Sequence, residues 1–146
     1  MIARRTAAAA TLVLSAAVPA AAAAGLHGGA RYSGKTSAGE AVSLKLNAKA
    51  TRVKRLRVYY TLKCNDDRMS YTYTDVFGVR LRKDHGFSAS GTYTGSTDGS
   101  RNSFKLSGKV RVNRANGKFS LTMTRKVGGT RLKCRSGKLS WSARRR

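Results

Sequence analysis

Apolar and polar residues alternate with a period of two along most of the chain beyond residue 30, and this pattern strongly constrains the fold. The stretch 131–143 is a clear case, because Leu132, Cys134, Leu139 and Trp141 stand among basic and hydroxyl residues. Successive side chains of a strand point to opposite faces, so the alternation predicts strands with one buried face. We find no helical periodicity in this part of the chain.

About eight short strands are predicted, separated by turns at intervals of roughly 8 to 12 residues, a spacing typical of a single antiparallel β-sandwich or barrel. Asn116-Gly117 is the strongest hairpin signal and predicts a turn between strands at 103–114 and 118–125. The apolar faces of the strands predict a core made of Val42, Leu44, Leu46, Leu56, Val58, Leu62, Val79, Leu81, Phe104, Leu106, Val110, Val112, Phe119, Leu121, Met123, Leu132, Leu139 and Trp141.

The first 24 residues have the order of a secretory signal peptide: a basic leader, an apolar run and a run of alanines that offers cleavage after Ala22 or Ala24. The alternative, an uncleaved membrane anchor, is disfavoured by the short and alanine-rich apolar segment. The predicted organisation is a cleaved signal peptide at 1–24, a flexible glycine-rich mature N-terminus at 25–30, a β-sandwich domain at 31–143 and a basic tail at 144–146.

The chain is strongly basic, with 30 Lys and Arg against 6 Asp and Glu. Cleavage after Ala24 removes Arg4 and Arg5, so the balance becomes 28 to 6 and the net charge +22. Such a charge predicts affinity for polyanions, although a basic surface without a specific partner has the same composition. The candidate polyanion-binding residues lie on the polar faces of the strands and are Arg52, Lys54, Arg55, Arg57, Arg80, Arg82, Arg111 and Arg114.

Cys64 and Cys134 are the only cysteines, and in an exported chain they are expected to pair. The disulfide would close a loop of 71 residues, for which chain entropy contributes roughly 4 kcal/mol. A metal site is the alternative use of cysteine, but two Cys and two His without a Cys-x-x-Cys motif do not favour it. We predict neither a metal nor a cofactor.

Tyr59, Tyr71, Tyr73 and Tyr93 are the candidate aromatic contacts of a ligand. Aromatic rings stack on sugars or bases while guanidinium groups bind anions, so the mixture suits a polysaccharide or a single-stranded nucleic acid. Ordinary cross-strand packing explains the same tyrosines, because Tyr is common in strands.

No catalytic constellation is predicted. His27 and His85 have no spaced nucleophile, and Asp66-Asp67 suits a turn better than a paired-carboxylate or calcium site. The sequence therefore does not indicate an enzyme.

The family resemblance rests on short motifs spread over most of the chain beyond residue 30: Tyr32-x-Gly34-x-Thr36-Ser37-x-Gly39, Cys64, Gly86-Phe87-Ser88, Ser107-Gly108-Lys109-Val110 and Cys134-x-Ser136-Gly137-x-x-x-Trp141-Ser142-Ala143-Arg144. With these the chain resembles a group of small secreted β-domain proteins of high-GC Gram-positive bacteria that have no established function. Ala38 departs from the pattern, where a polar residue such as Gln is expected. The resemblance implies no catalytic residue.

These observations predict a secreted, extracellular, non-enzymatic domain that binds an anionic cell-surface polymer or polysaccharide. Nucleic acid would bind only unspecifically, and no membrane insertion is expected after signal cleavage. The alternative is a structural or inhibitory module that binds a protein, in which the loops 84–86 and 95–101 would matter more than the charge.

Overall fold

The computed structural model describes residues 25–146 and is built from β-strands throughout this range. The signal peptide predicted at 1–24 lies outside the described residues. The all-β prediction is confirmed, with nine strands in place of about eight. The strands are β1 (Arg31–Thr36), β2 (Ala41–Leu46), β3 (Arg52–Cys64), β4 (Met69–Arg80), β5 (Gly86–Thr94), β6 (Arg101–Val110), β7 (Arg114–Val127), β8 (Thr130–Arg135) and β9 (Leu139–Arg145).

All nine strands belong to one antiparallel sheet with the order β4-β3-β2-β1-β9-β7-β6-β5. Strand β8 stands off this path and pairs with both β3 and β7. Hydrogen bonding therefore runs in a closed ring from β3 through β2, β1, β9, β7 and β8 back to β3. The two strands at the ends of the order, β4 and β5, approach each other through side chains, because Thr74 Oγ1 and Tyr93 OH are 3.4 Å apart.

The core lies on the inner face of this curved sheet, and every residue of the predicted core is buried or half-buried. Trp141 of β9 packs against Phe87, with ring centroids 6.2 Å apart. Gly108 and Gly117 leave room for the indole ring, because a Cβ atom at either position would lie 2.7 Å from Trp141 Cζ2. Several motif residues of the family resemblance therefore have a packing role.

The predicted hairpin at Asn116-Gly117 is wrong. Strand β7 runs straight through both residues, and Gly117 pairs with Gly108 on one side and Trp141 on the other. The turn lies earlier, where Arg111 N donates to Arg114 O over 2.7 Å. Gly117 is required by the close approach of neighbouring atoms, which the local sequence signal does not distinguish from a turn.

Both ends of the described chain make defined contacts. In the segment 25–30, predicted to be flexible, Gly29 N donates to Asn47 O, and Ala30 O accepts from Leu46 N. The predicted basic tail 144–146 begins inside a strand, because β9 continues to Arg145 and pairs with β1. The sheet thus extends two residues beyond the predicted domain boundary at 143.

The disulfide between Cys64 and Cys134 is confirmed and joins β3 to β8. Among residues 25–146, no helix is long and apolar enough to cross a membrane.

Candidate functional site

A concave basic surface lies on the outer face of the sheet, where β1 to β4 run side by side. The register places Arg31 opposite Lys45, Lys45 opposite Arg55, and Arg55 opposite Phe77, which makes one row across four strands. Lys54 and Arg146 complete a cleft of about 450 Å³. We call this the basic cleft, and its charged and aromatic residues are Arg31, Lys45, Lys54, Arg55, Arg146, Phe77 and the buried Tyr32.

A β-bulge brings two consecutive cations to the cleft. The register between β2 and β3 shifts after Lys45, so that Lys45 opposes Arg55 while Leu46 opposes Val53. An extra residue in one strand breaks the strict alternation of faces. Lys54 and Arg55 are accordingly both exposed, whereas the flanking Val53 and Leu56 are buried.

No acidic residue lines the basic cleft within the described chain. The closest acidic position along β4 is Asp75, whose two carboxylate oxygens accept hydrogen bonds of 2.7 Å each from Arg57. These hydrogen bonds raise the pKa of Arg57 and keep it charged. Because Asp75 is engaged by Arg57, the five cations of the cleft have no free Asp or Glu side chain beside them among residues 25–146.

Exposed apolar side chains lie along the outer face of β4, on both sides of Asp75. Met69, Tyr71, Tyr73 and Phe77 point outward, and the exposed fractions of Met69, Tyr71 and Phe77 are 70%, 62% and 66%. We call these four residues the aromatic stripe. Large apolar side chains that are exposed side by side mark an interaction surface more often than singly exposed ones do.

Tyr59 of β3 lies beside the aromatic stripe. Its ring centroid is 5.7 Å from that of Tyr71 and 5.4 Å from that of Tyr73. The guanidinium carbon of Arg57 lies 4.2 Å from the centre of the Tyr73 ring. Three of the four predicted tyrosines are therefore grouped with arginine on one face. Tyr93 is separate, because it packs on Phe104 at the other end of the strand order.

The eight predicted polyanion-binding residues are all on the outer surface, but the fold divides them into groups. Lys54 and Arg55 line the basic cleft, and Arg57 lies next to it in its ion pair with Asp75. Arg52 and Arg80 oppose each other in the β3–β4 ladder, and Arg52 Nη1 donates to Gly78 O over 3.0 Å.

The remaining three predicted residues lie in or beside turns. Arg82 follows β4 and is 3.7 Å from Asp84, while Arg111 and Arg114 flank the turn between β6 and β7. Sequence reasoning missed Arg31, Lys45, Arg146 and Phe77. The alternation of β2 marks Lys45 as outward-facing, but only the register brings it beside Arg31 and Arg55.

The side chains considered for catalysis are in turns. His85 has a positive φ of 62°, and its backbone N–H donates to Arg82 O. Asp66 accepts from Arg68 N over 3.1 Å and forms an ion pair of 2.9 Å with the Arg68 side chain. Within residues 25–146, no group of three His, Cys, Asp or Glu residues could hold a metal ion.

Comparison of the chain with protein-family models, curated proteins and solved structures finds no match.

Proposed function

We propose that this protein is a secreted, non-enzymatic domain that binds anionic polymers, such as an acidic polysaccharide or wall polymer, at or outside the cell surface. The observation that carries the proposal is the basic cleft, in which five cations lie around Phe77 and no Asp or Glu of the described part of the chain lines the surface. Secretion is supported by the disulfide, since such bonds persist in oxidising compartments. The resemblance to small secreted β-domain proteins points the same way.

The chemistry of the cleft suits a chain of repeated anionic units. Cations from three strands, together with Arg146 just after β9, form a surface, not a closed pocket, so a polymer could cross it in an extended form. Arg and Lys side chains would contact the charged groups, and the exposed face of Phe77 would contact an apolar sugar face. Nucleic acid would bind through the same phosphate contacts with little sequence preference.

The test is a binding titration of the disulfide-bonded protein with heparin, poly(glycerol phosphate) and single-stranded DNA at several salt concentrations. We expect affinity to fall steeply with salt, and Arg55→Gln to reduce the slope of log K against log salt by about 1. Arg101→Gln is the matched control, because Arg101 is exposed on β6, outside the cleft. The proposal fails if none of these polymers binds at low salt, or if both variants weaken binding equally.

The alternative function is a structural or inhibitory module with a protein partner, and the aromatic stripe favours it. Three apolar side chains on one strand are each more than half exposed, as is common at interfaces. Burial of such a surface depends little on salt, whereas phosphate or sulfate contacts depend on it strongly. Binding that survives at about 0.5 M salt and is lost in Tyr71→Ala would therefore indicate a protein partner.

A further inference from the structure

At one end of the sheet, polar side chains occupy strand positions that face the interior. On β7, Phe119 and Leu121 are buried and face inward, and the two-residue step continues through Met123 to Arg125. On β6, Asn102 opposes Met123 and is 6% exposed. A polar residue on a core-facing position is costly unless it has partners, so these side chains call for an explanation.

These residues border a cleft of about 530 Å³ that lies beneath the loop between β5 and β6. Its volume is within the range of about 300–1,000 Å³ common for ligand pockets, and the mouth of a curled sheet is a common place for such pockets. We call it the interior cleft; among its lining residues are Tyr60, Leu62, Arg68, Ser70, Thr72, Tyr93, Ser96, Thr97, Asp98, Asn102, Arg125 and Leu132.

The guanidinium of Arg125, which lines the interior cleft, does not have a close acceptor for every N–H group. Its Nη1 is 3.4 Å from Asp98 Oδ2, longer than the roughly 2.7–2.9 Å of a strong charge-assisted hydrogen bond. Its Nε is buried and has no hydrogen-bond partner among the described residues. The guanidinium of Arg125 is therefore incompletely paired within the protein, and a ligand that supplies an acceptor to this group would complete its hydrogen bonding.

Asp98 stays ionised, and its carboxylate accepts a hydrogen bond from Ser100 in the loop between β5 and β6. Hydrogen bonds from Ser100, including one of 2.9 Å from its backbone N–H, together with the nearby Arg125, hold the pKa of Asp98 below its usual value. The charged residues that line the cleft are Arg68, Arg125 and Asp98. Because Arg68 is ion-paired with Asp66, Arg125 is the cation of the cleft that remains for an anion. The site is therefore suited to a single negative group, in contrast to the five cations of the basic cleft.

The uncharged lining is rich in hydroxyl groups. Ser70 and Thr72 come from β4, and Ser96 and Thr97 from the loop above the cleft. The Tyr60 hydroxyl is already hydrogen-bonded to Thr74 over 2.7 Å, and the Asn102 amide nitrogen to Ser100 Oγ over 3.1 Å. Hydroxyl groups donate and accept, so they match the hydroxyls of a sugar, while the ring of Tyr93 offers apolar surface.

We infer that the interior cleft binds a small, hydroxyl-rich carboxylate of the sugar-acid class, with the carboxylate on Arg125 and the hydroxyls on the surrounding Ser, Thr and Asn side chains. The site is distinct from the basic cleft, because the two lie at opposite ends of the β3–β4 ladder. Lys63 pairs with Met69 at the end near the interior cleft, and Arg55 pairs with Phe77 at the other. The inference does not depend on the proposed polymer binding.

The experiment is an NMR titration of backbone amide signals in the disulfide-bonded protein, with sodium glucuronate as the probe. Glucose supplies the hydroxyls without the carboxylate, and acetate supplies the carboxylate without the hydroxyls. We expect glucuronate to shift the signals of Asn102, Arg125 and Leu132. It should bind at least about tenfold more tightly than glucose, because a hydrogen bond to a charged group accounts for at least that ratio, and more tightly than acetate, which lacks the hydroxyl contacts.

The variant Arg125→Gln keeps a hydrogen-bonding side chain but removes the charge, and should weaken glucuronate binding at least about tenfold. Arg135→Gln is the matched control, because Arg135 is exposed on β8 and opposes the outward-facing Thr122. Arg55→Gln should leave the glucuronate-induced shifts of Asn102, Arg125 and Leu132 unchanged, which separates this site from the basic cleft.

Three results would overturn the inference: no shifts around the interior cleft at millimolar glucuronate, equal binding of acetate and glucuronate, or unchanged affinity in Arg125→Gln. Amide spectra of each variant without ligand show whether the fold is intact. If Arg125→Gln does not fold, Asn102→Ser and Thr72→Val replace it, and unchanged glucuronate affinity in both would also contradict the inference.

Discussion

Replacement of both cysteines by alanine tests the energetics of closing the sheet. Cys64 and Cys134 are separated by 70 positions in sequence, and both are buried. For a loop of this length the chain-entropy relation gives a loss of about 4 kcal/mol in the free energy of unfolding. The structure adds a reason for a large effect, since the ladder between β3 and β8 has only two residue pairs, Lys63 with Arg135 and Cys64 with Cys134.

The assay is urea unfolding followed by the fluorescence of Trp141, which is the only tryptophan and is buried. With a slope of about 1.5 kcal/mol per M, a loss of 4 kcal/mol moves the unfolding midpoint by roughly 2.5–3 M. The control is the wild-type protein in reducing buffer, which should unfold at the same urea concentration as the double variant.

A midpoint shift below about 0.7 M, equivalent to roughly 1 kcal/mol, would refute the reasoning. It would mean that the unfolded chain without the disulfide already keeps β3 and β8 close together. Alternatively, strain in the native disulfide would cancel the entropic stabilisation that the bond provides. Hydrogen exchange separates these cases through Asn65 N–H, which donates to Lys133 O across the β3–β8 junction. Rapid exchange there in the double variant is expected if the junction opens.

Two further substitutions test the packing of the core. Gly117→Ala would place a Cβ against the backbone oxygen of Ser107 and 2.7 Å from Trp141 Cζ2, and we expect a loss of at least about 1–3 kcal/mol in urea unfolding. Gly25→Ala, which meets nothing within 4 Å, is the control and should be neutral. Tyr60→Phe removes the 2.7 Å hydrogen bond to Thr74 and should cost about 1 kcal/mol, so an unchanged unfolding midpoint would show that this hydrogen bond contributes no net stability.

The strand content and the core could be predicted because both depend on local alternation. The apolar residues of β2 and β3 alternate over several consecutive positions, and each of the predicted core residues there is buried. The disulfide could be predicted because only two cysteines are present. The hairpin at Asn116-Gly117 could not be rejected from the sequence. A glycine that leaves room for an indole ring and a glycine that forms a turn give the same sequence pattern.

The candidate site was only partly predictable. Lys54 and Arg55 were identified from the charge of β3, but the bulge that turns both outward arises from the register with β2. Arg146 was assigned to a tail, whereas its backbone N–H donates to Arg31 O and its side chain lies in the basic cleft. Arg57 is paired with Asp75 and so does not belong to the cations that lack a carboxylate partner. This pairing follows from the β3–β4 register.

The sequence by itself determined that this chain forms an antiparallel β-fold with a basic outer surface and one disulfide, because alternation, composition and cysteine number are properties of the chain taken residue by residue. Only the tertiary structure decided which cations share a cleft, which one has a carboxylate partner, and that Arg125 faces the interior. The physical reason is that contacts between strands depend on register and sheet curvature. Neither is encoded in any single stretch of the sequence.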